Sequence, residues 1–208
     1  MDPRRIFGHI FSVEAIIAAV VFALVCFAIV FALVLSSHRR RRDRPATQQE
    51  EHTKTELAYA AAVAVVAAFV VGLSFHATAQ ESVHSAADKV RITGFQWCWR
   101  FSYPGSGRSV TGTCNGRGLP TMVVPVGRPV TLEITSSDVI HSWWVPALRY
   151  KLDAFPDHTN RVTIKVNHAG EWVGRCAEFC GDRHTYMDFH LKAVPVEQYR
   201  QWLAGAAA

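Results

Sequence analysis

Hydrophobic and polar residues are unevenly distributed along this chain, and their pattern divides it in two. From Ala15 to Leu35 the sequence reads AIIAAVVFALVCFAIVFALVL, with no charged side chain. At the rise of an α-helix this run reaches roughly 31 Å, which matches the hydrocarbon thickness of a bilayer. A second run, LAYAAAVAVVAAFVVGLSF from Leu57 to Phe75, reaches roughly 28 Å by the same rise. Its alanines give a weaker insertion signal than the first run. The first block is too long for the apolar segment of a signal peptide, and SSHRRRR follows it rather than a small-x-small cleavage site. The second block taken alone also reads as a buried core helix. Together they predict a transmembrane hairpin over residues 1–78, with helices at about 15–35 and 57–75 and a polar, basic loop over 36–56.

Beyond residue 79 the pattern changes to short runs separated by turn residues. Lys89–Phe101 places Phe95, Trp97, Trp99 and Phe101 at period two, which predicts strand. YPGSGRSVTGTCNGRG, residues 103–118, reads as turn chemistry throughout. Thr121–Val126 and Pro129–Thr135 flank Gly127-Arg128, a hairpin signal. Arg161–Val166 and Met187–Val194 are further strand-like runs, and Val196–Leu203 has helical character after Pro195. Several short strands at this spacing predict an all-β sandwich or barrel over 79–208, closed by a short C-terminal helix.

Charge sets the orientation of the hairpin. The connecting loop carries Arg39, Arg40, Arg41, Arg42, Arg44 and Lys54, whereas the outer flanks carry only Arg4, Arg5, Lys89 and Arg91. Positive loops stay cytoplasmic, so both termini and the β-rich domain are expected outside. The arginine run could instead meet acidic lipid or nucleic acid, but beside an apolar helix topology accounts for it. The overall net charge of +5 is misleading as a guide to partners. Residues 79–208 hold fourteen Lys/Arg and eleven Asp/Glu, so the domain has no large basic field and nucleic acid is not an expected partner.

The candidate chemistry is concentrated in GRCAEFCGDRHTYM, residues 174–187, which places Cys176, Cys180, His184 and Met187 close together. His141 lies upstream in SSDVIHSWWVP. Cys26, inside the first apolar run, reads as a small packed hydrophobe. The other cysteines are external, where a thiol is usually a disulfide or a metal ligand. A Cys176–Cys180 disulfide is one reading. A zinc site of two thiolates and two imidazoles is another, though it leaves Met187 unused. A distant His followed by Cys, His and Met in one loop is a soft donor set that suits copper.

Cys-x-Glu-x-x-Cys-Gly-x-x-His-x-x-Met, together with SSDVIHSWWVP, resembles subunit II of the haem–copper cytochrome c oxidases, the subunit that carries the CuA centre. The resemblance covers nearly the whole chain: a two-helix hairpin, a cupredoxin-like sandwich and a short C-terminal helix. It implies that two copper ions share both thiolates, held by His141, Cys176, Cys180, His184 and Met187 through side chains and by Glu178 through its carbonyl oxygen. It also implies a magnesium ion at the Glu178 side chain, at the boundary with the haem-bearing subunit I. In FQWCWRF, residues 95–101, Trp97 matches the tryptophan through which electrons enter from cytochrome c. From pattern alone Trp97 and Trp99 are ordinary strand aromatics. In LRYKLDAFPDHTN, residues 148–160, Lys151, Asp153 and Pro156 correspond to a family segment, read as structural or as subunit boundary. Glu56 in KTELAY matches an acidic residue at the cytoplasmic mouth of a proton pathway. A lone Glu before a membrane helix also reads simply as an interfacial charge.

Two departures stand out. The family's Trp-Tyr-Trp is here Trp97-Cys98-Trp99, and Cys114 appears in the glycine-rich loop that follows. Both thiols are external and a turn separates them, so a Cys98–Cys114 disulfide is expected. The domain is also net basic, whereas subunits of this type dock a basic cytochrome c on an acidic face. Asp138, Asp153, Asp157, Asp182 and Asp188 could supply such a face locally; otherwise the donor is less basic or membrane-tethered. The expected role is electron entry to a respiratory oxidase in a bacterial plasma membrane, with oxygen reduction and proton pumping in the partner subunit. No Cys-x-x-Cys-His occurs, so a fused cytochrome c is not expected in this sequence. The alternatives are the CuA subunit of a nitric oxide reductase and, from another class, a membrane-anchored zinc-binding or copper-delivery protein. A quinol-oxidase subunit lacking copper is disfavoured because every ligand is present.

Overall fold

The computed structural model describes residues 3–40, 52–79, 86–115 and 117–205. These form two units, one spanning Gly8–Ala79 and one that includes Gln80–Ala208. The basic residues Arg41, Arg42 and Arg44 of the predicted cytoplasmic loop lie outside the described residues.

The first unit contains two helices, α1 (Pro3–Arg40) and α2 (Thr53–Ala79). Both are longer than the apolar runs that predicted them. Helix and membrane span are set by different physics: the apolar run marks what lipid accepts, while Arg, Glu and His at its ends remain good enough helix formers to continue the backbone ladder. Within this unit Phe22, Phe27, Leu24 and Phe75 are all more than 60% exposed. Such apolar surface on every side suits a membrane span and not a soluble helix with one buried stripe. Glu56 sits in the first turn of α2 and accepts a 3.4 Å hydrogen bond from the backbone N–H of His52.

The second unit is a β-sandwich. One sheet contains β1 (Asp88–Phe95), β2 (Cys98–Tyr103), β3 (Arg108–Thr111), β5 (Pro129–Ser136) and β8 (Asn160–Lys165), ordered β3-β2-β1-β5-β8. The other contains β4 (Thr121–Pro125), β6 (His141–Val145), β7 (Tyr150–Ala154), β9 (Gly170–Cys176) and β10 (Asp188–Val194), ordered β4-β10-β9-β6-β7. The C-terminal helix α3 (Val196–Leu203) buries Tyr199 and Trp202 against the end of the sandwich where Tyr103 lies. This is the sandwich, with its short terminal helix, that the strand pattern predicted.

Three local readings need correction. The run Lys89–Phe101 is two strands, since β1 turns at Gln96-Trp97 and pairs antiparallel with β2. The glycine-rich stretch 103–118 contains the edge strand β3. The Gly127-Arg128 signal does not make a hairpin. Instead β4 pairs in parallel with β10 in one sheet, and β5 pairs with β1 and β8 in the other. The chain changes sheets at Val126-Gly127, where the Val126 N–H donates to Val194 O and the Gly127 N–H to Val166 O. Gly127 has φ +73°, a conformation that serves a crossover as well as a hairpin.

The inner faces meet around Phe189 on β10. Its ring centroid lies 5.7 Å from Trp99, 5.4 Å from Phe101 and 5.8 Å from Trp143, all fully buried. Gly174 on β9 faces this ring so closely that a Cβ would fall 2.0 Å from it. β9 then delivers Cys176, and β6 begins with His141, so this packed aromatic core fixes the origins of two site residues. The expected Cys98–Cys114 disulfide is present, with Cα atoms 4.8 Å apart.

Candidate metal centre

The donors named from sequence converge at the end of the sandwich where β6 begins and β9 ends. Cys176 closes β9, Cys180 lies on the loop that follows, His184 starts a short 3-10 turn, and Met187 precedes β10. The two Sγ atoms are 3.9 Å apart and unbonded, so the pair is not a disulfide. Cys176 Sγ lies 3.9 Å from His141 Nδ1 and 3.3 Å from the carbonyl oxygen of Glu178. Cys180 Sγ lies 3.6 Å from His184 Nδ1 and 3.9 Å from Met187 Sδ. Each sulfur thus has its own imidazole, and the weaker donors, a carbonyl and a thioether, each stand beside a sulfur. His141, Cys176, Cys180 and Met187 are buried.

The electrostatics suit a cation. Burial alone would raise the Cys176 thiol, but hydrogen bonds from His141 and neighbouring backbone groups outweigh it and hold it below the usual thiol range. Cys180 is pushed up to about 12 by burial and by the negative charge of Cys176. Two thiolates this close repel, and a bound metal ion relieves that repulsion.

Several residues around the donors take roles that the sequence does not assign them. Asp138 Oδ1 is 2.8 Å from His141 Nε2, on the side of the ring opposite the sulfur. Asp138 also accepts the backbone N–H of Gln96 and of Val139, each at 2.7 Å. These donors outweigh burial and hold its carboxyl below the ordinary range. Gly94 leaves room for the His141 ring, 3.0 Å from where its Cβ would lie. Among the described residues nothing but three-dimensional proximity reveals these partners; the three-residue spacing of Asp138 and His141 was the only available hint.

Trp97 sits at the β1–β2 turn and its indole N–H donates to Cys180 O at 3.1 Å. Gln96 Nε2 donates to the same carbonyl at 2.8 Å, and the Trp99 indole donates to Met187 O at 3.1 Å. Lys151 reaches Asp153 at 3.3 Å and Glu178 at 3.6 Å, so the 148–160 segment borders the ligand loop. The Glu178 carboxylate is thereby paired with an amine, which gives no support to magnesium there. Glu56 belongs to the helical unit and is not part of this cluster.

Comparison with known proteins agrees with this geometry. Residues 119–194 match the family model described as cytochrome c oxidase subunit II, periplasmic domain. Cytochrome c oxidase subunit 2 of Cereibacter sphaeroides is 30% identical over 233 residues, covering 96% of this chain and 74% of that protein. The chain belongs to the cytochrome c oxidase subunit 2 family. The Alkalihalophilus pseudofirmus subunit 2 is 30% identical over 219 residues; it aligns with 100% of this chain, which spans 62% of its length. Among solved structures, the periplasmic domain of subunit II (CoxB) of Bradyrhizobium japonicum matches with TM-score 0.54 and 30% identity, covering 60% of this chain and 96% of that one. The sandwich is cupredoxin-like, and two membrane-length apolar helices belong to the same chain.

Proposed function

We propose that this subunit 2 chain is the electron-entry subunit of a haem–copper oxidase. It takes electrons from a cytochrome c at a binuclear CuA centre and passes them to haem in subunit I, where oxygen is reduced and protons are pumped. The observation that carries this reading is the donor set: two unbonded thiols 3.9 Å apart, each beside its own imidazole, with a thioether and a carbonyl at the flanks. One ion does not readily use two thiolates, two imidazoles and a thioether, whereas this donor set would suffice to hold two copper ions.

His141, Cys176, Cys180, His184, Met187 and the Glu178 carbonyl would hold the copper, which would supply a one-electron store at this end of the sandwich. The remaining work belongs to the chain. The buried donors exclude water. His141 and Cys176 stand on strand ends and Met187 adjoins β10, while the loop carrying Cys180 is held by the Gln96 and Trp97 side chains at its carbonyl, which limits their movement when the charge changes. Asp138 fixes the ring orientation of His141 and leaves Nδ1 free to face the metal. Trp97 is half-buried, its indole N–H donates to Cys180 O on the ligand loop, and the Arg183 guanidinium stands over its ring 6.0 Å from the centroid. In this reading Trp97 is the entry point. The positive loop charge supports a copper domain and termini outside the plasma membrane, and in this reading α1 and α2 dock on subunit I. In the same reading Glu56, in the first turn of α2, is the candidate entrance of a proton pathway on the cytoplasmic side.

Electron paramagnetic resonance with metal analysis on the copper-loaded full-length chain in detergent tests this. Two coppers per chain, with hyperfine splitting richer than one nucleus produces, is the expected result. A single-copper spectrum, or zinc alone, refutes the electron-entry reading. Trp97→Phe should keep that spectrum while slowing reduction by cytochrome c in the assembled complex.

A further inference from the structure

We infer that the Cys98–Cys114 disulfide is a positioning device for electron entry: it holds the Gln96–Trp99 turn against the copper-ligand loop. The inference rests on the reading of Trp97 as the entry point and adds what keeps Trp97 in place.

Residues 96–99 form the end of the β1–β2 hairpin, where Phe95 pairs with Cys98. On the inner side this turn is bound to the ligand loop by Gln96 and Trp97 at Cys180 O and by Trp99 at Met187 O. On the β1 side it is bound by the hairpin ladder. The third side differs. β3 pairs with β2 only from Tyr103 to Arg100, where Thr111 is the last partner. At Trp99 and Cys98 the edge has run past its neighbouring strand, and the chain has become a loop whose described residues are 112–115 and 117–118.

That loop closes on itself. Thr113 N–H donates to Gly118 O, Gly118 N–H to Thr113 Oγ1, and Arg117 N–H and the Thr113 hydroxyl both donate to Asn115 Oδ1. Cys114 takes φ +58°, unusual for a residue with a side chain, and its sulfur meets Cys98 there. The covalent bond therefore stands where the strand ladder stops. Cys98 is buried between Trp97 and Trp99 in sequence, so a restraint on it is a restraint on both indoles. The fit at the ligand loop is close: a Cβ on Gly181 would lie 3.2 Å from Trp97 Nε1. Small displacements of the turn are then enough to break the Cys180 contact. Reduction of the bond by a dithiol consumes two electrons and two protons, yields two thiols and leaves the dithiol oxidised. It would loosen Trp97 without touching a copper donor.

The test compares full-length chains in the assembled complex. Cys114→Ala cuts the cross-link and keeps the buried Cys98 side chain in the core. Cys98→Ala/Cys114→Ala removes the stray thiol as a competitor for copper. Trp97→Phe keeps the cross-link. Backbone hydrogen exchange at Gln96–Trp99 in the cross-link variants should speed by roughly ten- to hundredfold, within what a closed loop of this size can supply. Their copper spectrum should be unchanged, and reduction by cytochrome c should fall toward the Trp97→Phe level. Faster exchange confined to 112–118, with the 96–99 amides protected as before, overturns the inference. So does an unchanged entry rate in the cross-link variants when Trp97→Phe is slow. If Trp97→Phe is itself as fast as wild type, the entry reading fails, and hydrogen exchange alone still decides whether the bond holds the turn.

Discussion

Asp138 holds His141 from behind: its Oδ1 lies 2.8 Å from His141 Nε2 while Nδ1 of the same ring faces Cys176 Sγ at 3.9 Å. The carboxylate fixes which nitrogen carries the proton and which is free to bind metal. Asp138→Ala removes that partner and strands the Gln96 and Val139 N–H groups it accepts. Copper affinity should fall by about 10–100-fold, the usual effect of losing such a partner. Asp138→Asn should lie between, because its amide keeps one oxygen acceptor and presents an N–H₂ where the other was. Competition titration with a copper chelator on the full-length chain measures this, and affinities equal to wild type would remove Asp138 from the site.

The interior offers a test that leaves the donors alone. Gly174→Ala would drive a methyl group into Phe189, whose ring occupies that space at 2.0 Å. Phe189 in turn packs against Trp99, Phe101 and Trp143, so the strain has no soft outlet. The expected cost is about 1–3 kcal/mol, at the upper end for a ring hemmed in on all sides. A lowered melting temperature for the copper-free chain checks it; an unchanged one would mean that β9 and β10 can separate cheaply.

At the other end of the sandwich, the Tyr103 hydroxyl accepts the Val123 N–H at 2.7 Å and donates to the Val123 carbonyl at 3.1 Å. Burial pushes its ionisation far above the ordinary tyrosine range, so the donor proton is kept at every physiological pH. Tyr103→Phe leaves both backbone groups of Val123 buried and unpaired. Stability should drop by about 1–3 kcal/mol, with the copper spectrum unaltered. Thermal melting and electron paramagnetic resonance on the same sample separate the two effects.

These residues mark where sequence reading stops. The donors were legible because soft ligands are rare and their spacing within one loop is itself chemical information: Cys176, Cys180, His184 and Met187 need only a short loop to meet. The helices were legible because a bilayer demands an unbroken apolar run. Gly174, Gly94 and Asp138 act through partners that the fold brings near, and a single chain gives no sign of those partners. β4 and β5 were misread for a related reason. A glycine at positive φ between two apolar runs is common to hairpins and crossovers, and what separates them is which sheet each run pairs with. β3 was hidden because glycine, proline and serine surround its four residues, although those residues alternate half-buried and exposed as an edge strand should. The Cys98–Cys114 bond was legible only because both thiols were external and otherwise unused.

Copper uptake should release protons, and the direction follows from the thiols. Without metal, Cys180 is protonated at neutral pH, since burial and the neighbouring Cys176 push it to about 12. Cys176 is lowered and His141 raised; burial opposes both shifts, and their mutual hydrogen bond and charge outweigh it. That pair shares one proton, whichever atom holds it. Binding copper through both sulfurs and through His141 Nδ1 must expel the Cys180 proton and the shared one. Affinity is therefore lost as pH falls below the Cys180 value and gained as pH rises toward it. With about two protons released, the apparent affinity should change by roughly a hundredfold per pH unit between pH 6 and 8. Calorimetric titration in buffers of different ionisation enthalpy counts the protons directly. A count near zero would mean that the metal-free site already holds both thiolates, and that the repulsion between two sulfurs 3.9 Å apart is relieved by something other than a proton.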